Sequence, residues 1–598
     1  MQDPGENGRI AGGSGRQIKR HLPAGAPEAI DIEAKGQGRA LVLALAGGGA
    51  SAHVLPAPQS NPGGASRETC VTRSAPLFPA ETSDPNRREA LRLIGALAGA
   101  AFAPGVALAS GRGPAAAFSF ETLTEDARAR AAAPYAPTPV EAAEVLQRID
   151  YDAHWRIRFR DDASLTPAGP DSPIQTFHPG RYFKEPVAIH LVENGEAREA
   201  RFTREDFDIP ADSPAMALPH EIGVAGFRVM RPGLKPDWIS FLGASYFRTD
   251  GPEAQYGLSA RGIAVDSGLS KPEEFPRFTA FWIGPAETPE DDLTVWGMLD
   301  GPSLTGAYRF GLRRGRDGAG HRMEISARLF MRQAVERLGV APLTSMYWYS
   351  ERERASIDWR PEIHDSDGLA IATGAGERIW RPLENPRRVE TFSFFDRAPK
   401  GFGLIQRDRA FGHYEDDGVF YNRRPSAWIE PLGDWGEGAV QLVLIPTKDE
   451  TFDNVVAYWT PAVQPKAGDA LSYDYALNWV ERDPAPSVAR VYSTRQGHGG
   501  APGQPIPEGV GKMVIDFEGG ALEGLGAEDG IEPVVEARGG EVLEPVAIRP
   551  VVGTERWRLS FDFKASGEGP VALRAYLRGE GKALSETWTA QAHPTPRR

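Results

Sequence analysis

Cysteine is almost missing: Cys70 is the only one in 598 residues. One thiol closes no internal disulfide and builds no cysteine metal cage. Histidine is sparse at 11; none sits in the H-E-x-x-H spacing of a zinc helix, and no Walker loop occurs. Two glycine-flanked serines, Ser259 (GLSARG, 257–262) and Ser303 (GPSLTG, 301–306), miss the G-x-S-x-G spacing of a nucleophile elbow. Asp365-Ser366-Asp367-Gly368 starts like a calcium loop, but the longer ligand pattern does not continue. No metal and no cofactor are therefore expected. Net positive charge is lacking too, since 67 Lys and Arg against 81 Asp and Glu leave −14. Such a chain does not steer toward nucleic acid or anionic lipid, whereas a neutral ligand such as a sugar suits its field. The absence of a fixed repeat period argues against a propeller or solenoid.

One apolar run stands out, Leu93 to Ala109, preceded by Arg87-Arg88 and ending in Ala107-Leu108-Ala109. At 17 residues and rich in Gly and Ala, it is short for a membrane span, and no stable insertion is expected. Paired arginines, a short greasy core and a small-residue exit predict a twin-arginine export signal over 81–109 and a periplasmic mature protein. Cys70 lies before the cut, so the mature chain keeps no thiol. Residues 1–80 are Gly/Ala/Pro/Ser-rich without helical or strand period, and read as a disordered or mis-assigned N-terminal extension. The 489 residues after Ala109 are enough for two or more domains with one large core.

Beyond the export signal the pattern is mostly β. Helix is expected over Phe120–Ala133, and Thr138-Pro139-Val140-Glu141 reads as a capping box opening a second helix. From there on, period-two alternation dominates: His154–Phe159, Val187–Val192, Met323–Met331, Ala439–Ile445 and Leu471–Trp479. The all-β reading is a large sandwich domain over 118–482. Residues 483–507, polar and rich in Pro and Gly, read as a linker. A smaller immunoglobulin-like sandwich is expected over 508–598, where Arg556–Lys564 alternates Trp557, Leu559, Phe561 and Phe563 against polar residues and Val571–Leu577 is its candidate partner. Eleven of the 13 tryptophans precede residue 480; indole faces can floor a sugar cleft, although most tryptophans of a sandwich fill its core.

Polar clusters beside aromatic strands hold the remaining chemistry: His364–Gly368, His413–Asp417 with Tyr421–Trp428, and Lys448–Asn454. Glycosidic cleavage needs one carboxylic acid to protonate the leaving oxygen and a second group to activate water. The same residue types also make ordinary solvated turns, so these loops by themselves leave both readings open.

Longer stretches carry a resemblance. They include FLGASYFR (241–248), YGLSARGIAVD (256–266), EEFPRFTAFWI (273–283), RPEIHDSDGL (360–369), GFGLIQRDRAF (401–411), RRPSAWIEPLGDWGEGAVQLVLIPT (423–447) and DETFDNVVAYWTP (449–461). In these the chain resembles the MdoG family of periplasmic glucan biosynthesis proteins, and the twin-arginine pattern is nearer its OpgD branch. The resemblance runs from about Phe118 to the C-terminus and weakens after 485. It implies a large galactose-mutarotase-like β-sandwich followed by a small immunoglobulin-like one. It implies action on β-1,2-glucan backbones by inverting endo-cleavage, with Asp453 as general acid, Asp365 as general base, and Glu450, Tyr421 and Arg424 supporting them. Two alternatives stay open: a transglycosylase that cyclises or branches glucan at the same site, and a non-catalytic scaffold guiding glucan from an inner-membrane glucan glucosyltransferase. Glu450, three residues before Asp453, is the anion expected to keep that acid protonated.

Overall fold

Alternation in sequence becomes alternation in burial. Along strand His321–Met331, Met323, Ile325, Ala327 and Leu329 face inward while Arg322, Glu324, Ser326 and Arg328 are half-buried. The computed structural model describes residues 113–316, 318–352, 358–484 and 486–593. The extension over 1–80, the export signal over 81–109 and Cys70 lie outside the described residues.

Two extended sheets dominate. The larger has 16 strands and the second ten. Phe241 and Phe247 of the second meet Phe281 and Phe310 of the larger edge-on, with centroids 5.2–5.7 Å apart. The inner faces are therefore packed on one another, and each such aromatic pair adds about 0.5–1.5 kcal/mol beyond its buried area. Helix Phe120–Ala131 starts at the cap Ser119, whose side chain and that of Thr122 satisfy each other's backbone N–H groups. It lays Leu123 and Ala127 on the outer face of the larger sheet.

The C-terminal region is a second pair of layers. Strands Arg490–His498, Val510–Glu518, Arg556–Ala565 and Gly540–Pro550 form a four-stranded sheet. Strands Glu532–Arg538, Val571–Gly579 and Thr587–Ala592 face it across a separate core built on Trp557, Phe561, Phe563 and Trp588. The last of them pairs in parallel with Arg378–Pro382, so the larger sheet runs unbroken from one region into the other.

Four local expectations change. No helix starts at Thr138: Ala142 takes a left-handed conformation, and the helix is Ala143–Arg148. His154 and Trp155 end a short helix, Tyr151–Trp155, capped by Asp150, leaving Arg158–Phe159 as strand. The segment read as a linker contains strand Arg490–His498, held by Val510–Glu518. Val571–Gly579 pairs with Glu532–Arg538 and Thr587–Ala592, not with Arg556–Ala565. Among the described residues no helix is long and apolar enough to cross a membrane.

Candidate active site

The two candidate aspartates adjoin a single connector, residues 345–347, from opposite sides. Strand Leu338–Ser345 pairs with Val455–Pro461, Ser345 opposite Val455. Just beyond, Asn454 clamps Tyr347: its Oδ1 accepts the Tyr347 N–H and its amide donates to the Tyr347 carbonyl, both at 2.8 Å. On the other side, Tyr347 pairs with His364, and the Asp365 N–H donates to the Met346 carbonyl at 2.9 Å. Asp453 and Asp365 thus flank residues 345–347. Ser345 lies one interstrand spacing, about 5 Å, from Val455, and Met346 bonds the backbone of Asp365.

Asp365 is buried and its Oδ1 accepts a hydrogen bond from Arg424 Nη1 at 2.6 Å. The Arg424 guanidinium also lies 4.4 Å from the centre of the Tyr421 ring. A buried guanidinium at that distance favours the ionised carboxylate. Gly257 presses against this arginine so closely that a Cβ there would lie 2.9 Å from Arg424 Cβ. That close approach explains a glycine in YGLSARG.

Behind Asp365 stands His364, fully buried. Its Nδ1 faces Gln406 Oε1 and its Nε2 faces Glu362 Oε2, each at 3.1 Å. Burial alone would push this imidazole down, but the Asp367 and Glu362 carboxylates outweigh it and carry it up to about 9. The ring is then a cation donating from both nitrogens, which fixes the strand preceding Asp365.

Glu450 is anchored differently from the sequence expectation. Arg360 grips it with two bonds, Nη1 to Oε2 at 2.9 Å and Nη2 to Oε1 at 3.0 Å. The Tyr421 hydroxyl donates to the same Oε2. Burial holds the Tyr421 phenol well above its usual range, so it stays a donor. Arg360 also binds Asp358 and Asp416, a network invisible to sequence because its partners are scattered along the chain. Glu450 therefore has its charge matched and is not a free anion set against Asp453. Tyr246, Arg248 and Arg261, all buried or half-buried, are among the groups near Asp453, and Arg248 also lies near Arg424. Asp453 itself is partly open to solvent.

Most tryptophans are interior. Trp359, at 67% exposure, is the main exception, and it adjoins Arg360. Glu362, Asp408 and His413 bring one ligand atom each within 4.8 Å of one another, but His413 Nδ1 already bonds Asp408 Oδ2. Glu362 is buried, Asp408 half-buried and His413 exposed.

Known proteins share this chain's sequence over most of its length. The family model described as "Periplasmic glucan biosynthesis protein, MdoG" matches residues 118–592. Glucans biosynthesis protein D 2 of Ralstonia nicotianae is 48% identical over 510 residues, covering 82% of this chain and 94% of that one. Glucans biosynthesis protein D of Stenotrophomonas maltophilia is 45% identical over 487 residues, covering 80% and 90%. Glucans biosynthesis protein D 1 of R. nicotianae is 44% identical over 535 residues, covering 85% and 99%. A solved polysaccharide lyase aligns at 11% identity with a TM-score of 0.20 over 63% of this chain and 45% of that one, too slight a likeness to carry an argument. The chain belongs to the MdoG family.

Proposed function

From that membership we propose that the chain acts in periplasmic glucan biosynthesis as an enzyme cutting β-1,2-glucan backbones internally, with inversion. Asp365 serves as general base and Asp453 as general acid. The supporting observation is the pairing of unlike settings across residues 345–347: one carboxylate buried against Arg424, the other partly open. Inversion needs carboxyls roughly 6.5–9.5 Å apart, with water between them.

The division of labour rests on charge. A carboxylate kept ionised by a buried arginine accepts a proton from water and cannot supply one. The other, reached by solvent and substrate, is left to protonate the departing glycosidic oxygen. Arg424 positions Asp365. Tyr421 and Arg360 fix Glu450, three residues before Asp453.

The test is to incubate the protein with linear β-1,2-glucan and weigh the products. Shorter open chains with inverted anomers support hydrolysis. Rings, each lighter by one water than the open chain, show that a sugar hydroxyl replaced the water and that the site transglycosylates. Binding without any change in chain length refutes catalysis and leaves a scaffold that receives glucan from a membrane glucosyltransferase.

A further inference from the structure

Strand Gly368–Ala372 begins just after the Asp365 loop, and beside its end, at Ala372 and Thr373, a cavity opens. Its volume is about 530 Å³, within the range of small-molecule sites. It lies at the seam where Arg378–Pro382 meets Thr587–Ala592, several residues along the strand from the aspartates. Arg378, Lys400, Arg574 and Arg578 line it, against a single lining acid, Glu377. In a chain of net charge −14, four converging cations are not a sample of the average surface.

Two of the four are already matched. Arg574 donates from Nη2 to Glu377 at 2.8 Å and from Nη1 to Glu536 at 3.4 Å. Arg578 donates from Nε to Glu532 at 2.9 Å. Thr587 Oγ1 donates to Glu377 at 2.7 Å, which fixes that carboxylate against the wall. Arg378 and Lys400 face the cavity with no carboxylate partner among the described residues. The Arg378 guanidinium carbon sits over the Trp428 ring, 5.8 Å from its centre.

We propose that this seam pocket binds a phosphate monoester. Three carboxylates, Glu377, Glu532 and Glu536, stand against the four cations, and the two side chains without one, Arg378 and Lys400, can share the oxygens of a phosphate monoester, which carries about −1.5 to −2 near pH 7. A single carboxylate leaves one cation unpaired. The arginine fork reads two phosphate oxygens while the lysine supplies a point charge. The cavity is larger than a bare phosphate, so an ester with a sugar-sized body is the fuller occupant. Nothing in this assignment depends on the reaction at Asp365 and Asp453.

Calorimetry of the full chain at low salt tests it, with inorganic phosphate, glucose 6-phosphate, glucose, sulfate and anionic phospholipid vesicles as probes. Saturable binding of both phosphates is expected, tighter for the sugar ester and absent for glucose. Arg378→Ala combined with Lys400→Ala should weaken it roughly tenfold or more, the loss of charge-assisted contacts. Both residues are surface-accessible, and unchanged melting of the double variant, or of Lys400→Ala alone, separates lost binding from lost fold. Equal heats for sulfate and phosphate, binding by vesicles alone, no heat with either phosphate, or an unaltered double variant each overturn the proposal.

Discussion

Arg424 and Asp365 form an ion pair at 2.6 Å with both side chains about 5% exposed. Removing one partner of a buried pair strands the other charge, which costs about 3–5 kcal/mol. Arg424→Met should lower stability by that order in urea unfolding and reduce turnover steeply. Adding Asp365→Asn should recover most of the stability and none of the activity. A double variant as unstable as the single one contradicts a charge-pair account. A double variant that still cleaves removes Asp365 as base.

Asp453→Asn should reduce cleavage of linear β-1,2-glucan by about 10²–10⁴-fold, the usual contribution of a positioned acid. Its side chain is partly open, so the variant should still fold. Melting and product mass measured on one sample decide the matter. Normal turnover by a folded variant reassigns the acid.

Much of this architecture was readable from period-two patterns. Met323–Met331 lies within strand His321–Met331, Leu471–Trp479 within Ala470–Val480, and Arg556–Lys564 within Arg556–Ala565 with all four large apolar residues buried. The pattern failed where tertiary pairing decided. Arg490–His498 reads as polar linker because its stability comes from a neighbour's hydrogen bonds, with little apolar side chain of its own. His154 looks like strand, yet Asp150 caps a turn of helix there. Family resemblance named Asp365, Asp453, Glu450, Tyr421 and Arg424 as site candidates. Arg360 was not among them, since an arginine in a loop gains meaning only when Glu450 and Asp416, 90 and 56 residues away, close on it.

The charged state of His364 ties stability to pH. Its folded-state value of about 9 lies above the ordinary 6.5, so its contribution is complete below about pH 6.5. It is lost as pH rises through about 9, a change of a few kcal/mol at most. Unfolding free energy should therefore decline across that window, and His364→Gln should flatten the decline. An undiminished slope in that variant would place the titration elsewhere.

Chelation should leave activity intact. The one trio of possible ligands among the described residues, Glu362, Asp408 and His413, has its histidine engaged by Asp408. The proposed acid and base work on a glycosidic bond without a metal. Dialysis against EDTA and then the product assay checks this; lost activity restored by a divalent cation would give that trio a role.

Trp359 is an exposed aromatic next to Arg360, 67% open to solvent while its neighbours Asp358 and Arg360 are tied to each other and, through Arg360, to Glu450. A large apolar ring left uncovered on an otherwise anchored turn offers a flat face to a sugar. Trp359→Ala should raise KM for long glucan by up to about tenfold, one stacking contact's worth, at constant kcat. Because the ring is already in water, stability should move by less than about 0.5 kcal/mol. If KM stays put while kcat falls, the tryptophan shapes the catalytic geometry through Arg360. If neither moves, glucan does not stack on this ring.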